Sequence, residues 1–327
     1  MRSGSSRALQ NEVLQRTLLR FSLSGSALAL VVCACGNLSN EDVAFLEAIP
    51  QKQQLHVAIP QGSTSQNLCA IGAADVYANA KSTGTAINGA VDDILALVDA
   101  IRKVTPTTRN EDSRTWGPFP DQDHPGVWIQ VVMFRELDAS RTPWRFIYTI
   151  SAARPPGAYL PILEGEFFGA QASNGIGRIT LHFENSTALG INKPTDPTFP
   201  ARIFYDLSGD PRTVSLDLTA GVNAFGLVSF DYSWAGYADG HGQFDYAFPD
   251  AKSGCTDEVT TFFNAQGAGR DVFRALCGTV IYGDVKQCWD AGGCLTFVDD
   301  PFGFTLACLG LPLPCILGVL GQCPAGL

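Results

Sequence analysis

Residues 201–219, ARIFYDLSGDPRTVSLDLT, contain the pattern that decides the fold. Ile203, Tyr205 and Leu207 alternate with polar side chains, and residues 212–219 repeat the same alternation. The Ser-Gly-Asp-Pro sequence that separates the two halves is typical of a turn. A period of two on either side of a turn predicts a pair of antiparallel strands that bury one face.

The same alternation recurs from residue 127 to residue 264, between clusters of Gly, Pro, Asn and Asp. Because the connections are too short for crossover helices, the whole sheet is predicted to be antiparallel. The predicted strands are 127–136, 144–153, 160–169, 176–184, 201–207, 212–219, 227–234, 243–248 and 258–264. One face is aromatic and the other is mainly polar, which predicts one covered face and one solvated face. The aromatic positions that could bind an apolar ligand are Trp144, Phe146, Tyr148, Phe230, Tyr232, Trp234, Phe244 and Tyr246.

Residues 71–104 predict one long helix that covers the aromatic face. Their apolar side chains recur at steps of three and four, which produces a single stripe. Gly84 and Gly89 each weaken the helix by about 1 kcal/mol relative to alanine, so a break between them is expected. The alternative use of the stripe is a dimerising coiled-coil seam. Together these elements predict an α+β fold, mainly β, with a curved antiparallel half-barrel packed on one long helix.

Two shorter elements are predicted before the long helix. Ser39 or Asn40 can cap a helix that extends to Ala48, with acidic residues in its first turn. Alternation over residues 54–59 predicts a strand.

The cysteine content indicates an exported protein. The chain has 10 cysteines, and an even number of them follows position 35, as expected for a disulfide framework. No Cys-x-x-Cys pair is present, so a zinc site is disfavoured and no metal or other cofactor is expected. The pairing stays open, although a bridge from Cys69 to the C-terminal group would close a long loop. The candidate disulfide cysteines are Cys69, Cys255, Cys277, Cys288, Cys294, Cys308, Cys315 and Cys323.

The N-terminal segment is typical of an export signal. Residues 1–20 are basic, residues 21–32 are apolar but too short to span a bilayer as a helix, and Val32-Cys33-Ala34-Cys35-Gly36 follows. An aliphatic residue at −3 and a small one at −1 before Cys35 resemble the lipobox of bacterial lipoproteins. Cys33 fits less well, because the bulky Val32 precedes it.

The lipoprotein resemblance implies cleavage before Cys35 and acylation of that cysteine, which would anchor the protein to the cell envelope. Gly36 and Asn37, rather than Asp, follow the cysteine, and this implies the outer membrane. The predicted curved sheet and helix resemble, in architecture alone, the half-barrel of periplasmic lipoprotein carriers and receptors, which hold acyl chains. We therefore divide the chain into a signal peptide (1–34), a tether with short elements (35–60), a helix-and-sheet domain (61–265) and a Cys-rich extension (266–327).

The Cys-rich extension has an unusual composition. No charged residue follows Asp300, and the apolar stretch that begins at Phe304 contains Pro312 and Pro314, which disfavour a membrane-spanning helix. We expect a disulfide-pinned segment packed on the sheet edge. The alternative is a hydrophobic contact with a partner or a membrane.

Few residues suggest catalysis. Asp206, Asp217, Asp231 and Asp245 lie on the polar face, where they could form an acidic row that binds calcium or simply a solvated surface. A hydrolase that uses Asp231 and Asp245 is a possible alternative function. The acid-and-histidine segments at residues 121–124 and 239–242 are typical of ordinary turns, and no catalytic sequence motif is present.

The overall charge narrows the class of partner. The net charge is −10, with 22 Lys and Arg against 32 Asp and Glu, which argues against nucleic-acid binding. We expect a lipid-anchored envelope protein that is not an enzyme. It would bind an apolar or acyl ligand or act as an envelope scaffold, and a purely structural surface role is a further alternative.

Overall fold

A computed structural model describes residues 38–60, 69–137, 143–171, 174–191, 200–223, 226–250, 254–278, 280–312 and 314–323. Within these residues, 15 strands form one antiparallel sheet in which each strand pairs with the next one along the chain. This confirms the predicted mainly β, antiparallel fold class. The strands are β1 (Thr108–Asn110), β2 (Ser113–Pro120), β3 (Trp128–Leu137), β4 (Pro143–Ala153), β5 (Leu160–Gln171), β6 (Asn174–Leu181), β7 (Ala201–Asp206), β8 (Arg212–Asn223), β9 (Gly226–Gly236), β10 (Gly242–Asp250), β11 (Cys255–Phe263), β12 (Gly269–Cys277), β13 (Val280–Trp289), β14 (Leu295–Asp300) and β15 (Cys315–Gly318).

The described helices are α1 (Asn40–Glu47), α2 (Asp75–Ile101) and α3 (Phe183–Ala188). The predicted long helix is confirmed as α2, but the expected break is absent, because its 27 residues continue through both glycines. At Gly84 a Cβ atom would lie 3.1 Å from Ile59 Cδ1, so a small residue lets the N-terminal segment pack against the helix. A position that looks weak in the sequence is therefore a packing site.

The sheet curls around α2. Strands lie about 4.8 Å apart, so β2 and β13 would be about 50 Å apart in a flat sheet. Helix α2 is only about 40 Å long. At its beginning the Val76 N–H donates to Gln287 of β13, and just beyond its end the Val104 carbonyl accepts a hydrogen bond from Trp116 of β2. One helix can reach both strands only if the sheet is curved.

Close aromatic–glycine pairs accompany this curvature. On the face towards α2, four buried rings lie over the glycine that is directly opposite on the neighbouring strand. The pairs are Tyr148 over Gly165, Tyr205 over Gly177, Phe263 over Gly242 and Trp289 over Gly269. Glycine leaves the space that each ring fills, and such pairs permit tight bending without leaving a hole in the core.

Two local predictions are wrong. Residues 54–59 form no strand, because the Asn88 side chain of α2 pairs with both polar groups of the Val57 backbone, at 2.7 and 2.9 Å. The strand predicted at residues 176–184 ends at Leu181, and α3 begins at Phe183. In both places contacts with other parts of the chain override a short local pattern.

Helix α1 is clamped to the first edge of the sheet. Ser39 caps it, and the fully buried carboxylate of Asp42 accepts hydrogen bonds from Arg109 and Arg114 at 3.0 and 2.6 Å. Burial alone would raise the pKa of Asp42, but the Ser39 N–H and the two arginines lower it to about 2. This ion cluster fixes the entry of the chain into the fold.

All eight candidate cysteines form disulfides. The pairs are Cys69–Cys294, Cys255–Cys277, Cys288–Cys323 and Cys308–Cys315. The first bridge ties the segment before α2 to the C-terminal part, as the sequence suggested. The extension is thus pinned to the last strands of the sheet, as expected.

Candidate functional site

The predicted ligand face is covered by the protein itself. Seven of its eight aromatic side chains are buried on the face towards α2, with exposed fractions from 0% for Phe244 to 9% for Trp234. The backbone of Trp144 lies in β4, but its side chain is outside the described residues. These positions share one core with α1 and α2, so most of this face is not free to bind a ligand.

A cleft remains where the middle of α2 crosses the central strands. The cavity itself has a volume of about 20 Å³, and it lies within about 370 Å³ of empty space that includes open solvent. Its lining is wholly apolar. The lining residues are Ile87, Ala90, Val91 and Ile94 of α2, Leu181 of β6, Phe183 of α3, Ala201 and Ile203 of β7, Leu216 of β8 and Tyr232 of β9.

Tyr232 is the member of the predicted ligand face that lines this cleft. Its ring is 3% exposed, and its phenolic oxygen has no hydrogen-bond partner among the described residues. Burial raises its pKa, so the hydroxyl stays neutral. The same two features hold for Tyr148 and Tyr205, whose rings lie over glycines instead. The cleft is thus suited to hydrocarbon, with one phenol in its wall.

A second cluster, which the sequence did not reveal, lies beside the first turn of α2. Thr261, Asp271 and Gln287 occupy directly opposed positions on β11, β12 and β13. The Gln287 amide donates to Asp75 Oδ1 at 2.5 Å, and Asp75 Oδ2 accepts from the Leu306 N–H at 3.0 Å. These hydrogen bonds join the beginning of α2 to β13 and to the segment after β14.

Asp271, like the neighbouring Thr261, lacks the hydrogen bonds that the other members of this cluster make. It is 1% exposed, and neither carboxyl oxygen has a hydrogen-bond partner of normal geometry among the described residues. Burial raises its pKa well above the usual value, and the negative charge of Asp75 adds to this; the Thr261 hydroxyl acts in the opposite direction. Burial and the nearby Asp271 also raise the pKa of Tyr77 to about 12. A neutral carboxylic acid is therefore the favoured form in this part of the core.

We expect Asp271→Asn to stabilise the protein by about 1–3 kcal/mol at neutral pH, because the buried carboxyl must take up a proton or carry a desolvated charge, whereas the amide is always neutral. The pKa of Asp271 is higher in the folded protein than in the unfolded chain, where it is about 4. The stability that the neutral carboxyl contributes is therefore fully present below about pH 4, and it is lost as the pH rises through the pKa of the folded state. Asparagine does not titrate, so the advantage of the variant should grow with pH. Urea unfolding at about pH 4 and about pH 8 measures this difference.

Asp123→Asn provides the matched control, because Asp123 is exposed and the substitution removes the same charge. It should change the free energy of unfolding by less than about 0.5 kcal/mol. An advantage of Asp271→Asn that is equal at both pH values would contradict a buried, titrating carboxyl.

The four aspartates of the polar face do not form a row. Asp217 lies directly opposite Asp231 on β9, but also opposite Arg202 on β7. Asp206 accepts hydrogen bonds from Ser208, and Asp245 accepts from Gln243 at 2.7 Å. Asp231 is exposed on the face away from α2, so the residues suggested for a hydrolase lie outside the cleft.

The two acid-and-histidine segments form local pairs within turns. His124 Nδ1 lies 2.8 Å from Asp121, and His241 pairs with Asp239 while its ring stacks on Tyr237. Across the described ranges, no group of three or more His, Cys, Asp or Glu is arranged to hold a metal ion.

The predicted signal peptide (1–34) and Cys35, the predicted lipid-attachment residue, lie outside the described residues. None of the helices in the described part of the chain is both long and apolar enough to cross a membrane.

Comparisons with known proteins give no relatives. No family model matches the chain, and neither a curated protein nor a solved structure matches it. The fold and the site therefore have to be interpreted from their own chemistry.

Proposed function

We propose that this protein is a lipid-anchored envelope protein that binds a small apolar ligand, of the size of an acyl chain segment, and does not catalyse a reaction. The observation that carries the proposal is the wholly apolar cleft between α2 and strands β6 to β9. In the described conformation the cavity itself has a volume of only about 20 Å³, well below the roughly 300–1,000 Å³ of small-molecule pockets, so a ligand would enter only as α2 moves away from these strands.

Other features support the envelope location. Four disulfides favour an oxidising compartment over the cytosol. The lipobox-like segment ending at Cys35 suggests anchoring by acyl chains, and Gly36 after it suggests the outer membrane. A curved sheet filled by a helix also supports the likeness in architecture to lipoprotein carriers, since a shift of such a helix would enlarge the cleft.

The cleft predicts binding of a fluorescent fatty acid such as cis-parinaric acid to a secreted form that starts at Gly36. Ala90→Phe places a ring in the cleft and should weaken binding by more than about tenfold, or 1.4 kcal/mol. Fluorescence titration measures the affinity, and thermal unfolding shows whether the variant still folds.

Gly89→Ala is the control for this experiment, because a Cβ atom at this neighbouring position meets no atom within 4 Å. It should bind the probe as the unmodified protein does. If the unmodified protein takes up no probe and carries no lipid in native mass spectrometry, the role as a ligand carrier is wrong. The scaffold role would then be the better explanation.

A further inference from the structure

The C-terminal extension exposes an unusual amount of apolar surface. We call this the apolar tail surface, and Leu306, Leu309 and Leu320 are 69%, 59% and 65% exposed within it. Monomeric soluble proteins rarely expose so many large apolar side chains in one segment unless the segment makes a contact. The exposed apolar side chains that define this surface are those of Leu306, Leu309, Leu311, Ile316, Val319 and Leu320.

The backbone that presents this surface is held in place. Cys308–Cys315 and Cys288–Cys323 pin it to β13 and β15, and Asp75 accepts the hydrogen bond from the Leu306 N–H. Asp300 accepts further hydrogen bonds from Thr305. A surface that is already ordered loses little conformational entropy when it docks.

Electrostatics favours an approach to a membrane through this surface. The chain is acidic, with a net charge of −10, and anionic lipids would repel most of it. Residues 301–327 contain no charged side chain, although Asp299 of β14 lies directly opposite Ile316. Most of this surface can therefore contact lipid without repulsion or the desolvation of a charge.

The position of the N-terminus favours the bilayer as the occupant. The described chain begins at Leu38, so a lipid on Cys35 would lie within roughly 10 Å of Leu38, which is two residues before α1. Near the end of α2, Arg102 donates to the Ile49 carbonyl just after α1, whereas the beginning of α2 contacts the tail through Asp75. The anchor and the tail surface therefore lie at opposite ends of a helix about 40 Å long.

We propose that the apolar tail surface docks on the phospholipid bilayer and, together with the lipid on Cys35, holds the protein at two points with α2 along the membrane. The inference rests on the proposed lipid anchor, because the anchor keeps the bilayer at high effective concentration around the tail. The apolar tail surface then enters the interfacial region as a shallow contact rather than a membrane span.

Photocrosslinking of the full-length protein tests this docking. Benzoylphenylalanine replaces Leu309, and in a control it replaces Phe204, a 43% exposed residue of β7. Each variant is reconstituted in vesicles of phosphatidylethanolamine and phosphatidylglycerol, irradiated and analysed by mass spectrometry. We expect phospholipid adducts at position 309 and none at position 204. An unchanged mobility on non-reducing gels shows that the disulfides are formed.

Three results would overturn the proposal: protein adducts instead of lipid at position 309, no lipid adduct there, or equal lipid adducts at both positions. Incorporation of labelled palmitate, with Cys35→Ala as its control, is measured separately. Palmitate on Cys35 without a lipid adduct at position 309 would support the lipid anchor and contradict the tail contact. Lipid adducts at position 309 without palmitate on Cys35 would contradict the lipid anchor and support the tail contact.

Discussion

Gly165→Ala should destabilise the protein by about 3 kcal/mol or more, at the upper end of the cost of overpacking a core. A Cβ atom at this position would lie 1.8 Å from Cζ of Tyr148, whose ring is fully enclosed and cannot move aside. The two residues are directly opposed on β4 and β5, so relief would require the strands to separate. Urea unfolding monitored by circular dichroism measures the loss.

Gly89→Ala is the same chemical change at a position with open space around it. Its effect on the free energy of unfolding should have the opposite sign. It should stabilise α2 by roughly 0.5–1 kcal/mol, because alanine loses less backbone entropy than glycine in a helix. Combining Gly165→Ala with Tyr148→Leu should cost less than the sum of the two single changes, since the shorter side chain removes the clash. Simple additivity in this cycle would show that the ring does not lie over the glycine.

Replacing both Cys69 and Cys294 with serine should lower the free energy of unfolding by roughly 5 kcal/mol in the chain-entropy model, because the bridge closes a very long loop. The two cysteines are 225 residues apart in the sequence. The bridge also fastens the start of α2 to β14, where Ala74 donates to the Gly293 carbonyl at 3.1 Å. Chemical denaturation without reductant measures the effect.

The Cys308–Cys315 bridge gives the comparison, since its cysteines are only 7 residues apart. Its removal should cost about half as much. The order of the two losses is the test: a larger loss for the short loop would mean that strain or local packing, rather than loop closure, governs these bridges.

Most of the strands that the sequence identified have apolar residues or glycine at their inward positions. Strand β12 escaped this pattern because Asp271 occupies an inward position, where the alternation predicts an apolar side chain. Strand β2 escaped it because Gly117 and Pro118 interrupt the segment, and the sheet accommodates them with a register shift between Trp116 and Phe119. Sequence alternation does not predict a strand that contains an inward polar residue or an irregular segment, even when tertiary contacts stabilise that strand.

The candidate site could be predicted only in part. The aromatic face and its helical cover follow from periodicity, but the position of the cleft does not. It depends on where α2 crosses β6 to β9, and that is set by contacts such as those of Asn88 with Val57 and of Gly84 with Ile59. The network around Asp271 likewise requires the register of three strands.

The sequence by itself determined the period-two strands, the order in which they follow one another, the striped helix and the even set of cysteines, because each depends on neighbouring residues or simple counts. Only the tertiary structure decided the partners of the cysteines, the continuity of α2, the glycines that rings cover and the apolar surface left exposed. These features are set by contacts between residues far apart in the chain, and local preferences carry no information about which distant side chains will meet.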